Sequence, residues 1–448
     1  MTPVGWRFIG TLFGVFMVCA VYLFARRVLK YKWLALFACL LFTFDFMHFA
    51  QTRLATIDTY VTFFIMLMYY YMYKYCSQSF YDTPLKKTFI PLGLSGVFFG
   101  LAVASKWTGL YAGAGLAIIF FKSLYDRYKD YKSAAKNITS QTLGISNREI
   151  VEKFKQNSVR TILFCCVMFI AVPAIIYALS YIPYINTPSG DGIKTIFKNA
   201  QDMLTYHGKT VVSSTHPYSS YWYEWPVMYR PIWYFSNTLD NGLKQGISAF
   251  GNPAVWWVGI AAVAYCLALA IIIPLRDKGY FGKSKKIFAI SYAIIFVILT
   301  IAAGVTASSD EKYVRLLPCM ILYSSVFIGA FLLVLANEKH LKNISASVAA
   351  FLVIGYFTNL LPWTFVLRIT YIYHYFPCVV FVVLMICYSI KTIYDNVNNK
   401  KAVIAAAAAY VVIALILFAL FYPVLSGHPI GEQFADTWLK WFKSWVLV

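Results

Sequence analysis

Charged residues are scarce in this sequence, and acidic residues are the scarcest. Only 13% of the 448 residues are charged, with 18 acidic against 39 basic side chains, whereas 60% are hydrophobic and 19% aromatic. So much apolar surface excludes a soluble domain of this length. The net charge of +21 does not indicate nucleic acid binding, because Lys and Arg cluster in short segments between apolar runs. That pattern is typical of a polytopic membrane protein.

The common catalytic and metal-binding motifs are also missing. We find no glycine-rich phosphate loop, serine triad or metal-ligand cluster. The nine cysteines lie mostly inside apolar runs and include no CxxC pair, which indicates buried small side chains rather than disulfides or zinc ligands. The first apolar run is followed by Arg26-Arg27 and not by a small-residue cleavage site, so no cleavable signal is evident.

Twelve apolar runs predict an all-α polytopic fold of about twelve transmembrane helices. The runs are residues 8–25, 33–46, 60–73, 89–104, 108–121, 161–183, 253–274, 287–306, 316–336, 344–362, 375–390 and 402–423. Four basic residues within 26–32 place the end of the first run in the cytoplasm. Because successive spans cross the membrane in alternating directions, the extracytoplasmic segments can then be predicted. They are residues 45–59, 105–109, 184–252, 308–315, 363–374 and the tail after Tyr422.

The polar segments divide the chain into three predicted parts, which are residues 1–183, 184–252 and 253–448. Residues 122–160 hold nine Lys or Arg against four acids, and this predicts a cytoplasmic amphipathic helix along the membrane. Residues 184–252 are rich in Pro, Gly, Ser and aromatics, which indicates an ordered loop with short helices. In the tail, Trp438, Trp441 and Trp445 would share one helical face on the membrane surface.

The stretch from Asp45 to Thr59 places two carboxylates, a histidine and an arginine between two apolar runs. Arg53 lies at or just under the predicted membrane surface, where an ionisable group is costly unless it is paired or functional. A phosphate headgroup is one partner that would explain it. The alternative is a structural role, with Arg53 reaching the interface or pairing with Asp45 or Asp58.

Two further predicted outer segments carry polar and aromatic side chains. In residues 216–235, tryptophans accompany Glu224 and Arg230, a combination that suits sugar rings, hydroxyls and phosphate. An interfacial aromatic belt is the alternative. In residues 361–377, Arg368 and His374 lie six residues apart before Pro377, and a lone histidine there is more often structural than catalytic. Lys106, beside a tryptophan, breaks the positive-inside trend. An outer-face site is therefore the hypothesis.

Taken together, these stretches resemble the protein O-mannosyltransferases, the dolichyl-phosphate-mannose protein mannosyltransferases of glycosyltransferase family 39 and GT-C type. The matching pieces are Thr2-Pro-Val-Gly-Trp-Arg, His48-Phe-Ala-Gln-Thr-Arg-Leu-Ala-Thr-Ile-Asp58, Ser105-Lys-Trp-Thr-Gly109, Trp222-Tyr-Glu-Trp-Pro-Val-Met-Tyr-Arg-Pro-Ile-Trp-Tyr234 and Arg368-Ile-Thr-Tyr-Ile-Tyr-His-Tyr-Phe-Pro377. They run in family order along the whole chain. The short external loop, without an inserted ligand-binding module, resembles the bacterial branch.

The resemblance implies transfer of mannose from a polyprenyl-phosphate carrier to Ser or Thr hydroxyls of a secreted polypeptide, with inversion at the sugar carbon. Such a reaction needs a carboxylate base and cations that stabilise the departing phosphate. By resemblance, the residues around the lipid phosphate are Arg53, Lys106, Arg230, Arg368 and His374, and the supporting residues are His48, Gln51, Asp58, Trp222, Glu224, Trp225 and Tyr373.

The resemblance further implies a bacterial cell membrane as the location, with the active face extracytoplasmic. The expected partners are polyprenyl-phosphate-mannose, a translocating polypeptide and the bilayer, with no nucleic acid; an oligomer is left open. No definite cofactor is implied, and a divalent cation is left open. Two alternatives stay open as well, a family 39 transferase with a lipid acceptor and a transporter or flippase, although no internal repeat supports the latter.

In one respect the sequence departs from the family pattern. The family's catalytic acidic pair lies in a first external loop after an initial helix, whereas Met1-Thr-Pro-Val-Gly-Trp resembles the sequence just before the second span. Asp310-Glu311 is the one adjacent acidic pair and belongs to a distant loop. We therefore expect an N-terminally incomplete copy with unknown catalytic residues, which binds carrier lipid but transfers poorly. Asp45 and Asp58 are expected to hold Arg53 in place rather than to act as the base.

Overall fold

A computed structural model describes residues 2–142, 144–188, 190–208, 216–309 and 313–448. Within these residues, ten helices are long and apolar enough to cross a membrane, so the predicted all-α polytopic fold is confirmed. The ten are Pro3–Leu29, Leu85–Ser105, Thr108–Ala134, Asn147–Ile185, Pro253–Asp277, Lys285–Ser309, Leu316–Asn337, Ala346–Phe365, Ile372–Asn396 and Lys400–Ser426.

The two remaining predicted spans are also helical, but they differ from a plain transmembrane helix. Run 33–46 corresponds to Lys32–Thr43, which is followed after a 60° bend by Phe46–Arg53. Run 60–73 lies in Asp58–Cys76. This helix is not among the ten because its six tyrosines lower its mean hydropathy.

The chain divides into two compact units. The first comprises Met1–Thr56, Val212–Thr364 and Ile369–Val448, and the second comprises Ile57–Val211 and Phe365–Arg368. The helices of the first unit are α1 (Pro3–Leu29), α2 (Lys32–Thr43), α3 (Phe46–Arg53), α11 (Pro253–Asp277), α12 (Phe281–Ser309), α13 (Leu316–Asn337), α14 (Ala346–Leu360), α15 (Phe376–Asn396), α16 (Lys400–Ser426) and α17 (Glu432–Phe434). Those of the second are α4 (Asp58–Cys76), α5 (Leu85–Ser105), α6 (Thr108–Ala134), α7 (Asn147–Cys166), α8 (Val172–Ser180), α9 (Ile182–Ile185) and α10 (Lys194–Gly208).

Helix α15 forms the core of the first unit. Every residue from Phe376 to Tyr388 is buried, as expected for a helix that is apolar on all sides. It packs against α1, α2, α11, α14 and α16. Gly355 on α14 permits one of these contacts, because a Cβ atom there would lie 2.2 Å from the ring of Phe381.

The basic linkers between the apolar runs, which the positive-inside rule assigns to the cytoplasm, meet at one end of the first unit. The Tyr31 hydroxyl donates to Asp395 at 2.8 Å, and the backbone N–H of Lys342 donates to Asn396 at 2.7 Å. Arg276 donates to the Leu341 carbonyl at 2.6 Å. Residues 26–32, 276–286, 337–343 and 391–401 are thus brought to the same end, as alternation of the spans requires.

The second unit carries the basic segment 122–160, and here one prediction is wrong. No separate amphipathic helix is present among its described residues, because residues 122–134 continue α6 and residues 147–160 begin α7. Ion pairs four residues apart, such as Lys122 with Asp126, help to extend these helices beyond their apolar parts. Between the helices lies a two-residue antiparallel pair, β1 (Gln141–Thr142) with β2 (Ile145–Ser146).

A β-hairpin in residues 184–252 was not predicted. Strand β3 (Ile232–Thr238) pairs antiparallel with β4 (Lys244–Ala249), with an irregularity between Trp233 and Phe235. The local signal was present in Asp240-Asn241-Gly242, which forms a three-residue hairpin loop that ends in Gly242 with φ of +79°. The predicted short helices are present as α9, α10 and a 3₁₀ turn at Trp222–Glu224.

The C-terminal tail also differs from its prediction. A π-helical turn ends at Leu439, so the helical spacing of the tryptophans does not continue. Trp445 is fully buried and donates its indole N–H to the Met228 carbonyl at 2.8 Å, whereas Trp438 and Trp441 are 58% and 40% exposed. The placement of Trp445 on the membrane surface is therefore wrong.

Candidate functional site

Asp45 anchors the bend between α2 and α3. It is the N-cap of α3, where one carboxylate oxygen accepts from the backbone N–H groups of Met47 and His48 at 3.1 and 3.3 Å. The other oxygen accepts from the Asn252 N–H at 3.1 Å and the Trp256 indole at 2.9 Å. The carboxylate is completely buried. Its hydrogen bonds fix the start of α3 against the start of α11.

Arg53 lies at the end of α3, where it contacts the end of α16. Its Nη1 donates to the Leu425 carbonyl at 3.2 Å and its Nη2 to the Ser426 carbonyl at 3.5 Å. These carbonyls belong to the last turn of α16, which carries the negative end of the helix dipole. Within the described part of its unit no carboxylate forms a salt bridge with Arg53, and Asp45 is bonded to Asn252 and Trp256 instead. The expectation that Asp45 holds Arg53 is therefore wrong, whereas the same expectation for Asp58, a residue of the second unit, stays a prediction.

Two predicted supporting residues lie on α3 beside Arg53. The His48 ring is buried, bonds through Nε2 to the Gly14 carbonyl at 3.2 Å and packs 4.5 Å from the Phe42 ring. Gln51 is also buried, and its side-chain amide donates to the Tyr234 hydroxyl at 2.7 Å. His48 therefore packs α3 onto α1, whereas Gln51 joins α3 to strand β3.

His374 belongs to a packed aromatic cluster. It is 3% exposed, stacks on Trp225 with ring centroids 5.9 Å apart and meets the edge of Trp363 at 4.1 Å. Tyr373 stacks on the same imidazole at 4.4 Å. His374 Nδ1 lies 2.9 Å from the Tyr371 carbonyl, within the 3₁₀ turn that precedes α15. This environment favours the structural alternative for His374, and a role at a lipid phosphate stays a prediction.

An ion pair between Glu224 and Arg315 was not foreseen. The Glu224 side chain has no exposed surface, accepts from the Tyr221 N–H at 2.7 Å and accepts a second hydrogen bond from Arg315 Nε. The Arg315 guanidinium lies 4.6 Å over the Tyr229 ring. Partial burial disfavours the charged form of Arg315, but the hydrogen bond to Glu224 and the charge of Glu224 together outweigh that effect. The pKa of Arg315 is therefore raised. The one signal in the sequence for this pair was that residues 184–252 and 308–315 are both predicted to be extracytoplasmic.

The remaining predicted residues of this loop are Trp222 and Arg230. Trp222 lines an apolar cavity of about 350 Å³ together with side chains of α11, α12, α13 and α14. Arg230 donates to the Pro217 carbonyl at 2.7 Å, and this hydrogen bond joins two parts of the loop in residues 216–231. In the first unit, the tertiary structure therefore brings segments 45–56, 216–252, 369–375 and the C-terminal tail to the end opposite the basic linkers.

The second unit contains the other predicted cations. Lys106, between α5 and α6, forms a salt bridge of 2.7 Å with Asp58 at the start of α4, and their side chains are only 16% and 10% exposed. Arg368 lies with its guanidinium 5.5 Å from the Tyr206 ring. The predicted set is therefore divided: Lys106, Asp58 and Arg368 belong to this unit, and the other predicted residues belong to the first.

The described carboxylates of the predicted site segments are already engaged by other groups. Asp45, Asp58 and Glu224 each already bond to groups within their own unit. Asp310-Glu311 lies outside the described residues. Across the part of the chain that the structure describes, no three His, Cys, Asp or Glu side chains are grouped so as to hold a metal ion.

Comparison with protein families gives two matches that follow each other along the chain. Residues 1–187 match the model described as dolichyl-phosphate-mannose-protein mannosyltransferase. Residues 193–303 and 279–445 match the model described as the C-terminal four TMM region of protein-O-mannosyltransferase. The second model alone covers more than half of the chain.

Individual relatives agree with these matches. The polyprenol-phosphate-mannose–protein mannosyltransferase of Corynebacterium glutamicum is 26% identical over 324 residues, which are 62% of this chain and 58% of that protein. The Mycobacterium tuberculosis protein of the same name is 21% identical over 310 residues, 58% of this chain and 55% of that protein. This chain thus spans somewhat more than half the length of these relatives. Protein O-mannosyl-transferase 2 of Drosophila melanogaster is 24% identical over 238 residues, half of this chain and 28% of that protein.

A solved structure shares the fold. It is described as the S. cerevisiae protein O-mannosyltransferase Pmt1-Pmt2 complex bound to the sugar donor, and it aligns with 98% of this chain and 80% of its own with a TM-score of 0.67. At 12% sequence identity, this likeness concerns the fold alone. The family matches show that the chain is an integral membrane protein and a member of the protein O-mannosyltransferase family.

Proposed function

We propose that this protein transfers mannose from a polyprenyl-phosphate-mannose donor to Ser or Thr hydroxyls of secreted proteins. One observation carries the proposal: the two protein O-mannosyltransferase models match consecutive ranges from residue 1 to residue 445. The names of the bacterial relatives supply the donor class, a mannose on a polyprenol phosphate, and the acceptor class, a protein.

Arg53 is proposed to bind the carrier phosphate. A guanidinium has five N–H donors, and the bonds to Leu425 and Ser426 use two of them, so others are left for phosphate oxygens. Its charge is not neutralised by a carboxylate in the described part of its unit. Backbone carbonyls hold the group in position, which lowers the entropy cost of binding an anion.

The other cations are proposed to act less directly. Lys106 would share its charge between Asp58 and the phosphate, because its salt bridge is already formed in the protein alone. Arg230, Arg368 and His374 stay predicted residues of the phosphate environment. Trp222 and Trp225 stay supporting residues, and Trp225, which is fully buried, would support the site by packing and not by contact with the sugar. The catalytic base is not assigned to any carboxylate of the described residues.

We further propose that the active face is extracytoplasmic, in a bacterial cell membrane. The support is that the predicted outer segments of the first unit meet at one end and its basic linkers at the other, as the positive-inside rule requires. The division into residues 1–183, 184–252 and 253–448 is kept as a proposal for how the sequence is organised.

Donor binding and sugar transfer test the proposal separately. Membranes containing the full chain are incubated with polyprenyl-phosphate-[³H]mannose and a Ser/Thr-rich peptide, and labelled peptide and membrane-bound donor are both measured. We expect donor binding by the wild type and at least a ten-fold loss on Arg53→Ala, because one charge-assisted phosphate contact is worth about 1.5–3 kcal/mol. Peptide labelling above that of membranes lacking the chain is expected, and it supports the protein acceptor.

The matched control is Arg160→Ala, which removes an exposed arginine of the second unit. It should bind donor like the wild type, and both variants should still unfold in one cooperative thermal transition, which shows that each is folded. Equal donor binding by the wild type and Arg53→Ala would refute the phosphate role. Label found only in lipid would instead favour a lipid acceptor, and movement of donor across vesicles without transfer would favour a transporter.

A further inference from the structure

A continuous apolar groove runs between α11 and α13 in the first unit. It consists of two adjoining cavities of about 480 and 590 Å³, and both are lined by Ala261 and Val326. Small residues create its depth, since Gly329 lies on the groove and a Cβ atom there would meet no atom within 4 Å. The mechanism proposed above makes no use of this groove.

The dimensions of the groove suit one hydrocarbon chain. On α13 it extends from Leu322 to Leu333, which is about 16 Å of helix at 1.5 Å per residue. This is about half of the roughly 30 Å hydrocarbon core of a bilayer. The acyl chain of a phospholipid in a single leaflet has this reach, whereas a long polyprenyl chain exceeds it.

Two cationic residues lie near one end of the groove, which we call its mouth. Tyr229 and Phe442 line the mouth, and the Arg315 guanidinium lies over the Tyr229 ring. The chain at Lys443 is held there because its neighbour Phe442 lines the groove and its neighbour Ser444 donates to the Tyr229 carbonyl at 2.5 Å. Lys443 is exposed and, within the described residues, forms no salt bridge. Unlike Arg315, which is bonded to Glu224, it therefore keeps an uncompensated charge.

We propose that this groove binds one anionic glycerophospholipid of the bilayer, with an acyl chain between α11 and α13 and the phosphate beside Lys443. The apolar walls suit the chain, and the positive mouth complements the headgroup charge. Such a lipid would also hold the C-terminal tail against the helices, because Phe442 covers the chain while Lys443 contacts its head. The proposal is independent of mannose transfer.

Native mass spectrometry of the purified full chain tests the site directly. Phosphatidylglycerol, phosphatidylcholine with the same acyl chains, and undecaprenyl phosphate are each added at equal concentration. We expect one retained phosphatidylglycerol and weaker retention of the other two lipids. Lys443→Gln should lower the affinity for phosphatidylglycerol about five-fold without affecting phosphatidylcholine, which is the effect of one lysine near an anionic surface.

Filling the groove should affect both phospholipids. Gly329→Leu places a side chain in the open space and should abolish retention of phosphatidylglycerol and phosphatidylcholine alike. Ala302→Leu, on the exposed face of α12, and Lys401→Gln, an exposed residue at the start of α16, are the matched controls and should behave like the wild type.

Three results would overturn the proposal. They are equal retention of phosphatidylglycerol and phosphatidylcholine by the wild type, displacement of phosphatidylglycerol by an equal concentration of undecaprenyl phosphate, and unchanged retention by Gly329→Leu. Because Lys443 is exposed, Lys443→Gln does not depend on repacking of the interior. It provides a test even where Gly329→Leu alters the fold.

Discussion

The ion pair between Glu224 and Arg315 should contribute measurably to stability, because it joins the loop before β3 to the start of α13. Glu224→Gln removes the charge from a side chain with no exposed surface and leaves Arg315, whose side chain is 29% exposed, without its anion. The amide can still accept one hydrogen bond, so the loss is mainly that of the charge pair.

The expected size follows from burial. Breaking a fully buried ion pair costs about 3–5 kcal/mol, and exposed pairs contribute about 0–1 kcal/mol. Since one partner is buried and the other is partly solvated, we expect Glu224→Gln to lower the free energy of unfolding by about 2–3 kcal/mol. A double-mutant cycle with Arg315→Gln should give a coupling energy of about 1.5–2.5 kcal/mol.

The assay is unfolding of the four proteins of the cycle by SDS in mixed micelles, followed by tryptophan fluorescence. The matched control is the exposed pair of Lys440 with Asp436, whose side chains are 46% and 58% exposed. The same cycle there, with both residues changed to their neutral counterparts, should give a coupling energy below about 0.5 kcal/mol. A Glu224–Arg315 coupling as small as that of the control pair would refute the reasoning.

Two other predictions concern packing. Trp445→Ala should lower the free energy of unfolding by about 3–5 kcal/mol, because it removes a fully buried indole. The control Trp438→Ala, at an exposed position, should change it by less than about 0.5 kcal/mol. Equal effects in the same SDS titration would contradict the burial of Trp445. Gly96→Ala should cost about 1–3 kcal/mol, because the new Cβ atom would lie 2.2 Å from the carbonyl of Met168, which belongs to a π-helical segment, Val167–Ala171. The control Gly304→Ala, whose Cβ atom meets only an ordinary contact, should lower neither the thermal midpoint nor the yield. An unchanged midpoint for Gly96→Ala would exclude so close an approach of α5 to that segment.

Hydropathy alone was sufficient to predict the helices. In a membrane every backbone N–H and C=O must be paired within the segment, so an apolar run of sufficient length is helical whatever surrounds it. Each of the twelve predicted runs is mostly helical for that reason, including run 60–73, whose tyrosines lower its hydropathy. Run 33–46 is interrupted by the bend at Phe44 and Asp45, which hydropathy did not predict. The distribution of Lys and Arg correctly predicted which linkers of the first unit lie together, since its basic linkers meet at one end.

Sequence patterns failed where a side chain's partner lies far along the chain. Asp45 and Asp58 are both close to Arg53 in sequence, yet Asp45 bonds to Asn252 and Asp58 to Lys106. Hairpin β3–β4 had a local signal in its Asn-Gly turn, but the aromatic composition around it pointed equally to an interfacial belt.

The sequence by itself determined the membrane-spanning helices and, through its motifs, the family, because these depend on composition and short-range order. Only the tertiary structure decided which groups neutralise one another. Glu224 and Arg315 lie 91 residues apart, and Trp445 lies 217 residues from the carbonyl that it bonds. Such pairs form only when helices pack, since the cost of burying a polar group is offset by whichever partner the packing brings within reach.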